Sequence, residues 1–190
     1  VTNRFPSWFM LKKHKMVMVA TYGDSLASKA GAMNKDYYEK YQNIFFQATP
    51  IDPTVKAKNV WQSLESPHAP SARFIATSMQ GKATGEGADL LIIDDPVKNR
   101  ADANSETQRE KIYDTWSDDL KTRLHPNDNI AIILMTRWHA DDLVGKIEQD
   151  TSMKWAKLIM RGEIETEADE KEDMLMRKIG DVLWPEAGFD

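Results

Sequence analysis

Apolar residues along this chain fall into short unbroken runs and into longer stretches where they recur every three or four positions. Residues 15–22 "KMVMVATY", 73–78 "RFIATS", 89–93 "DLLII", 130–135 "IAIILM" and 154–160 "KWAKLIM" are of the first kind. Runs this short, bounded by polar or turn residues and enriched in β-branched side chains, predict strands. The runs at 89–93 and 130–135 are apolar throughout, the pattern of a central parallel strand covered on both faces. The region around "GKATGEG" (81–87) is a further strand candidate. Residues 42–53, "QNIFFQATPIDP", read as a loop or short strand broken by prolines. In "VWQSLESPHAPSA" (60–72), Pro67 and Pro70 mark a turn.

The helical pattern appears first after "GDS". Asp24 or Ser25 is placed to cap a helix running to about Tyr41, with Leu26, Ala27, Ala30 and Met33 on one face and lysines opposite. After Pro96 a loop is expected, then a helix opened by a capping box of Ser105 and Gln108, with Ile112, Trp116 and Leu120 every fourth residue. A third helix is predicted from about Ala140 to Gln149, with Asp141 and Asp142 in its first turn, where the helix dipole favours acids. Residues 163–173, "EIETEADEKED", carry seven acids in eleven positions and predict a solvated, mobile segment. Strands alternating with helices predict an α/β domain with a mostly parallel sheet flanked by helices. No internal repeat is visible.

Composition narrows the class. A chain of 190 residues, 41% hydrophobic, can bury one core. No segment approaches the ~20 apolar residues of a membrane span. The start, "VTNRFPSWFM", lacks the basic-then-apolar pattern of a signal peptide and reads as the middle of something longer. The absence of cysteine excludes disulfides and thiolate metal sites. Net charge is −5, unevenly spread: residues 1–60 hold nine Lys/Arg against four Asp/Glu, the remainder sixteen against twenty-six. Any nucleic-acid contact must therefore be local or come from elsewhere, since phosphate contacts need local positive charge.

The chemistry concentrates at the ends of two predicted strands. In parallel sheets ligands gather at the carboxyl ends of the strands. Leu90 to Ile93 are followed by Asp94, Asp95 and Pro96, the Walker B pattern, and the run at 130–135 ends in Thr136. Asp94 would hold Mg²⁺ through a water, because Mg²⁺ keeps much of its hydration shell. Asp95 would orient the water attacking a γ-phosphate, and Thr136 would hydrogen-bond that water or a phosphate oxygen. Read as residues alone, the two acids also suit a two-metal nuclease, or a docking domain in which they merely cap a turn. No G-x-x-x-x-G-K-[ST] phosphate loop occurs in the chain. His14, His68, His125 and His139 show no i, i+4 metal spacing, and His139 reads as a helix-start residue. Trp61, Trp116, Trp138 and Trp155 read as packing residues, and Arg73, Arg100, Arg123 and Arg137 as capping or surface groups.

With these residues assembled, the chain resembles the ATPase domain of the large terminase subunit of tailed phages and prophages, the DNA-packaging motor. The likeness runs through "VMVATYGDSLASKAG", "ATGEGADLLIIDDPVKN", "ADANSETQREKIYDTW", "DLKTRLHP", "IAIILMTRWHADDLVGKI" and "GDVLWPE". It implies an ASCE-type P-loop NTPase core over residues 1–160, lacking its first strand and its Walker A loop, which in the family precede the stretch matched by "VTNRFPSWF". Residues 161–190 would be an acidic segment leading toward a nuclease domain. The resemblance implies ATP and Mg²⁺ as ligands, Asp94 as the Walker B metal residue, Asp95 as the catalytic acid and Thr136 as the coupling residue. It implies double-stranded DNA, the portal protein and the small terminase subunit as partners, a homo-oligomeric ring, no membrane, and the cytoplasm of a bacterial host. The chain alone is expected to hydrolyse no ATP. An arginine is expected near "ATGEGAD", where Glu86 stands. Lys82, Arg73 and Arg137 are the candidates for an arginine finger.

Overall fold

The computed structural model describes residues 1–45, 47–81, 85–127 and 129–187, and the chain divides into two compact units, Val1–Asp150 and Thr151–Asp190. The first unit holds a six-stranded sheet in the order β2-β3-β4-β1-β5-β6. Strands β1 (Val17–Thr21), β4 (Arg73–Ser78), β5 (Leu90–Asp94) and β6 (Ile130–Leu134) run parallel. Strands β2 (Ile51–Lys56) and β3 (Val60–Ser63) extend one side as an antiparallel hairpin. The fold is mixed α/β with a mostly parallel sheet flanked by helices, as the alternation of patterns predicts. Pro53 lies within β2, which forms a sheet edge, the place where a missing N–H is tolerated.

Burial follows strand order more than composition. All of β1 and Leu90 to Ile93 of β5 are buried, as neighbours on both sides require. β6 is just as apolar and was expected to be as deeply covered, yet it is only half-buried, with Ile130 44% exposed. It forms the far edge of the sheet, so one flank meets no strand among the described residues.

Helix α1 (Phe5–Lys13) has no counterpart in the periodicity; Pro6 sits in its first turn, and His14 ends it in the left-handed conformation at φ 53°. Helix α2 (Asp24–Tyr41) has the predicted span, but its N-cap is Gly23, without a side-chain cap bond from Asp24 or Ser25. Asn34, fully buried on α2, clamps the two helices together. Its Oδ1 accepts from the Ser7 N–H and hydroxyl, and its Nδ2 donates to the Thr2 carbonyl. Beneath α2, Trp61 stacks on Phe74 at 5.2 Å and meets the edge of Tyr38 at 5.3 Å. Gly31 lets α2 approach this closely, since a Cβ there would lie 2.1 Å from the Lys58 carbonyl oxygen.

Past β5, the expected loop contains a short helix, α3 (Arg100–Asn104), capped by Asn99 accepting from the Asp102 N–H. Helix α4 (Glu106–Asp114) begins after Ser105, whose side chain makes no cap bond, so the capping box with Gln108 does not form. The helical path continues through a π-helical turn (Thr115–Leu120) and a 3₁₀ turn (Lys121–Arg123), burying Trp116 and Leu120 as the spacing predicts. Helix α5 (Leu143–Gln149) starts later than expected. Asp142 is its N-cap rather than a first-turn residue, and His139 lies in the preceding loop, its Nδ1 accepting from the Asp141 N–H. Of the "GKATGEG" strand candidate, 82–84 lie outside the described residues; Gly85 is in a turn, and 86–87 have no regular structure.

In the second unit, "KWAKLIM" forms no strand. The acid-rich segment is not unstructured: it makes helix α6 (Glu167–Glu172) with a reciprocal capping box between Thr166 and Asp169. Its charges are met by Arg161, which pairs with Asp169 at 2.6 Å and Glu172 at 3.1 Å, and by Lys178, which pairs with Glu170 at 2.5 Å. Asp173 and Arg177 close a further pair at 2.6 Å.

Candidate functional site

The parallel strands all end on one side of the sheet, and that side carries the two acids. Register places Asp94 level with Thr21 on β1 and with Leu134 on β6. The next residue, Asp95, adopts φ 49°, in the left-handed region that aspartate tolerates better than most side chains. In this turn the Asp95 N–H donates to the Leu134 carbonyl at 2.9 Å. The Asp95 carboxylate in turn accepts from the backbone N–H of Thr136. The acid pair and Thr136 therefore stand on neighbouring strand ends.

A cleft of about 220 Å³ opens beside them, lined by Thr2, Asn3, Thr21, Leu26, Lys29, Ala30, Asp94 and Asp95. At ~30 Å³ per water it has room for about seven, enough for a phosphoryl group with a hydrated metal. Thr136 does not line the cleft; it is exposed and reaches the acids through its backbone. Burial and the neighbouring Asp94 charge push the Asp95 carboxyl above the ordinary aspartate range, and the Thr136 N–H only partly offsets this. A cation placed between the two carboxylates would relieve that strain. Mg²⁺ suits such a donor set, since it takes one or two carboxylates and completes its shell with water and phosphate oxygens. Among the described residues, no group of three or more acids or imidazoles converges on a metal position.

The candidate arginines are otherwise engaged. Arg73 stands at the start of β4, the opposite end of the parallel strands from Asp94. It is bound to Glu86 and Gln62, each at 2.8 Å. Arg137 follows Thr136 directly but pairs with Asp142 at 2.9 Å. Lys82 lies outside the described residues. The Nε of Arg123 is buried without a hydrogen-bond partner, and Arg100 begins α3. His125 pairs with Asp89 at 2.9 Å, near the amino end of β5 and away from the acids. Trp61 and Trp116 are core residues, whereas Trp138 is 41% exposed, against the packing role expected of it; Trp155 is half-buried.

Sequence reasoning missed Thr2, Asn3, Thr21 and Lys29 as cleft residues. None belongs to a local motif; α1 and α2 bring them to the strand ends. A Lys at the fourth position after Leu26–Ser25 carries no signal until the helix face is known.

The fold and its strand-end acids define an α/β protein built to hold a ligand at the carboxyl edge of a parallel sheet. Residues 1–181 match the family described as terminase large subunit, T4likevirus-type, N-terminal, and the chain belongs to that family. Terminase large subunits act in bacteriophage DNA packaging and are in general ATPases. Among solved structures the chain is similar to the HK97 bacteriophage large terminase, at 17% identity over 72% of this chain, with a TM-score of 0.39. That likeness is too slight to carry an argument, and this chain spans 26% of that protein's length. No curated protein matches the chain. Among the described residues, no helix is long and apolar enough to cross a membrane.

Proposed function

We propose that this chain is part of the ATP-hydrolysing core of a DNA-packaging motor, with its catalytic site at the ends of β5 and β6. The observation that carries the reading is the meeting of Asp94, Asp95 and Thr136 on adjacent strand ends in a chain of this family. Asp94 would hold Mg²⁺, which when bound draws off negative charge from the phosphate oxygens. Asp95 orients and deprotonates the attacking water. Its raised pKa brings it closer to the range where a carboxylate accepts a proton effectively. Thr136, bonded to Asp95 through its amide, is placed to pass the state of that carboxylate to the loop that follows.

The open flank of β6 supports a second part of the proposal. An apolar strand left half-covered at a sheet edge is a pairing template. We assign that edge to the strand carrying the phosphate loop, which the chain's own sequence does not contain. The partners are then double-stranded DNA, the portal protein, the small terminase subunit and further copies of the large subunit in a ring. The working compartment is the host bacterial cytoplasm. Residues 1–160 belong to the ATPase core and 161–190 lead toward a nuclease domain. The two-metal nuclease alternative needs further carboxylates around Asp94 and Asp95, and among the described residues none joins them.

The test is ATP turnover by the intact large subunit containing this chain. Asp95→Ala should reduce kcat by a factor of about 100 or more, as loss of a water-orienting group requires. Turnover equal to the parent protein's refutes the assignment.

A further inference from the structure

The loop that leaves Thr136 is held by a closed set of contacts. Arg137 donates from Nε to Asp142 Oδ2 at 2.9 Å and from Nη2 to the Ala140 carbonyl at 3.2 Å. Asp142 is 1% exposed, so its charge depends on that guanidinium. Its other oxygen accepts from the Gly145 N–H at 3.1 Å and caps α5. Gly145 is required for the closure, because a Cβ there would lie 1.9 Å from the Ala140 carbonyl oxygen. One carboxylate thus ties the loop both to itself and to the next helix.

The set extends to the elements that follow the acid pair. Asp141 lies 3.7 Å from Nε of the buried Arg109 on α4, and Lys146 of α5 pairs with Glu110 of α4. Chain leaving Asp95 runs through α3 into α4, while chain leaving Thr136 runs through this loop into α5. The two paths are therefore joined beyond the site, and they meet again within it. There the Asp95 N–H binds the Leu134 carbonyl, and the Thr136 N–H binds the Asp95 carboxylate.

We propose that Arg137 and Asp142 are positioning residues: their ion pair fixes the loop so that the Thr136 amide is held on the Asp95 carboxylate. Arg137 then acts within its own chain and is not the group reaching a neighbouring subunit's nucleotide. The catalytic consequence rests on the ATPase reading above; the positioning itself does not.

Two measurements keep these apart. In the 190-residue chain, amide hydrogen exchange read by NMR should show the Thr136 N–H exchanging at least about tenfold faster in Arg137→Gln and in Asp142→Asn. In Asp142→Asn the α5 amides should keep their protection, because asparagine still caps a helix. Arg137→Lys should recover part of the Thr136 protection, and it serves as the informative variant should Arg137→Gln fail to fold. Unchanged Thr136 exchange in folded variants overturns the proposal. In the intact large subunit, the same substitutions should lower kcat about tenfold and leave KM for Mg·ATP within twofold, the double variant being no worse than either single one. A rise in KM with kcat unchanged makes Arg137 a nucleotide contact and also overturns it. Asp95→Asn, assayed beside them, reports on the ATPase reading alone: if that variant keeps turnover, the ATPase reading fails while the exchange result still decides the positioning.

Discussion

Two aspartates, Asp95 at the end of β5 and Asp173 in the second unit, sit in opposite environments. Asp173 is surrounded by donors. Arg177 reaches it with Nη2 at 2.6 Å and Nε at 3.3 Å, and the backbone N–H groups of Leu175 and Arg177 add bonds at 3.1 and 3.0 Å. These bonds, the Arg177 side chain first, hold its carboxyl below the ordinary aspartate value of 3.8. Asp95 has burial and a like charge against it, with one backbone N–H in its favour, and is pushed above 3.8. One carboxylate stabilises its surroundings, and the other is kept under strain that a bound cation would release. Strain of this kind concentrates at working sites, and here it falls at the strand ends of a parallel sheet.

The signs of the two pH dependences differ accordingly. Asp173, with a lowered folded pKa, contributes stability that is fully present above 3.8 and is lost as pH falls through its folded value. Asp95, with a raised folded pKa, contributes nothing adverse in acid. It weakens the fold as pH rises from 3.8 through its higher folded value, and the penalty is complete above that.

Breaking the contrast should have graded effects. The largest belongs to Asp95→Asn, which keeps the left-handed turn and removes the charge. Turnover by the intact subunit should fall by about 100-fold or more. Next comes Asp173→Ala, which deletes the acceptor of four hydrogen bonds. Limited proteolysis of the 190-residue chain at neutral pH should then cut between 161 and 178 at least ~10 times faster, with the first unit resistant, as expected of a local opening. Gly145→Ala offers a comparison free of charge. The close contact with Ala140 should cost about 1–3 kcal/mol in denaturant unfolding. Asp95→Asn should also raise stability at neutral pH, by less than about 1 kcal/mol because the group is exposed, and the gain should vanish below pH 3.8. The smallest effect is that of Asp94→Asn on its neighbour. Titration of the Asp95 carboxyl followed by ¹³C NMR should move down only part of the way, because burial, the larger cause, remains.

Much of this was legible in local pattern. The four parallel strands, α2 to its last residue and the buried face of Trp116 and Leu120 all follow from spacing along the chain. So does the placement of Asp94, Asp95 and Thr136 at strand ends. Each depends on residues within about two turns or one strand of each other, where periodicity reports directly on which face is covered. Capping was read less well. Ser105 and Gln108 fit a motif, yet α3 already occupies the turn before α4 and the cap bond does not form. The acidic run at 163–173 looked unstructured because the basic partners of α6, Arg161 and Lys178, bracket it rather than interleave with it.

What the chain's own order of residues determined, then, is the alternating α/β pattern and the identity of the strand-end groups. Tertiary structure alone decided that β5 and β6 are neighbours, and that β6 is an edge despite five apolar residues in a row. It also decided that Arg73 stands at the far end of the sheet and that Arg137 is bound to Asp142. The reason is range. Periodicity fixes which way a side chain faces relative to its own backbone, whereas strand order and ion pairing depend on contacts between segments whose separation along the chain carries no such signal.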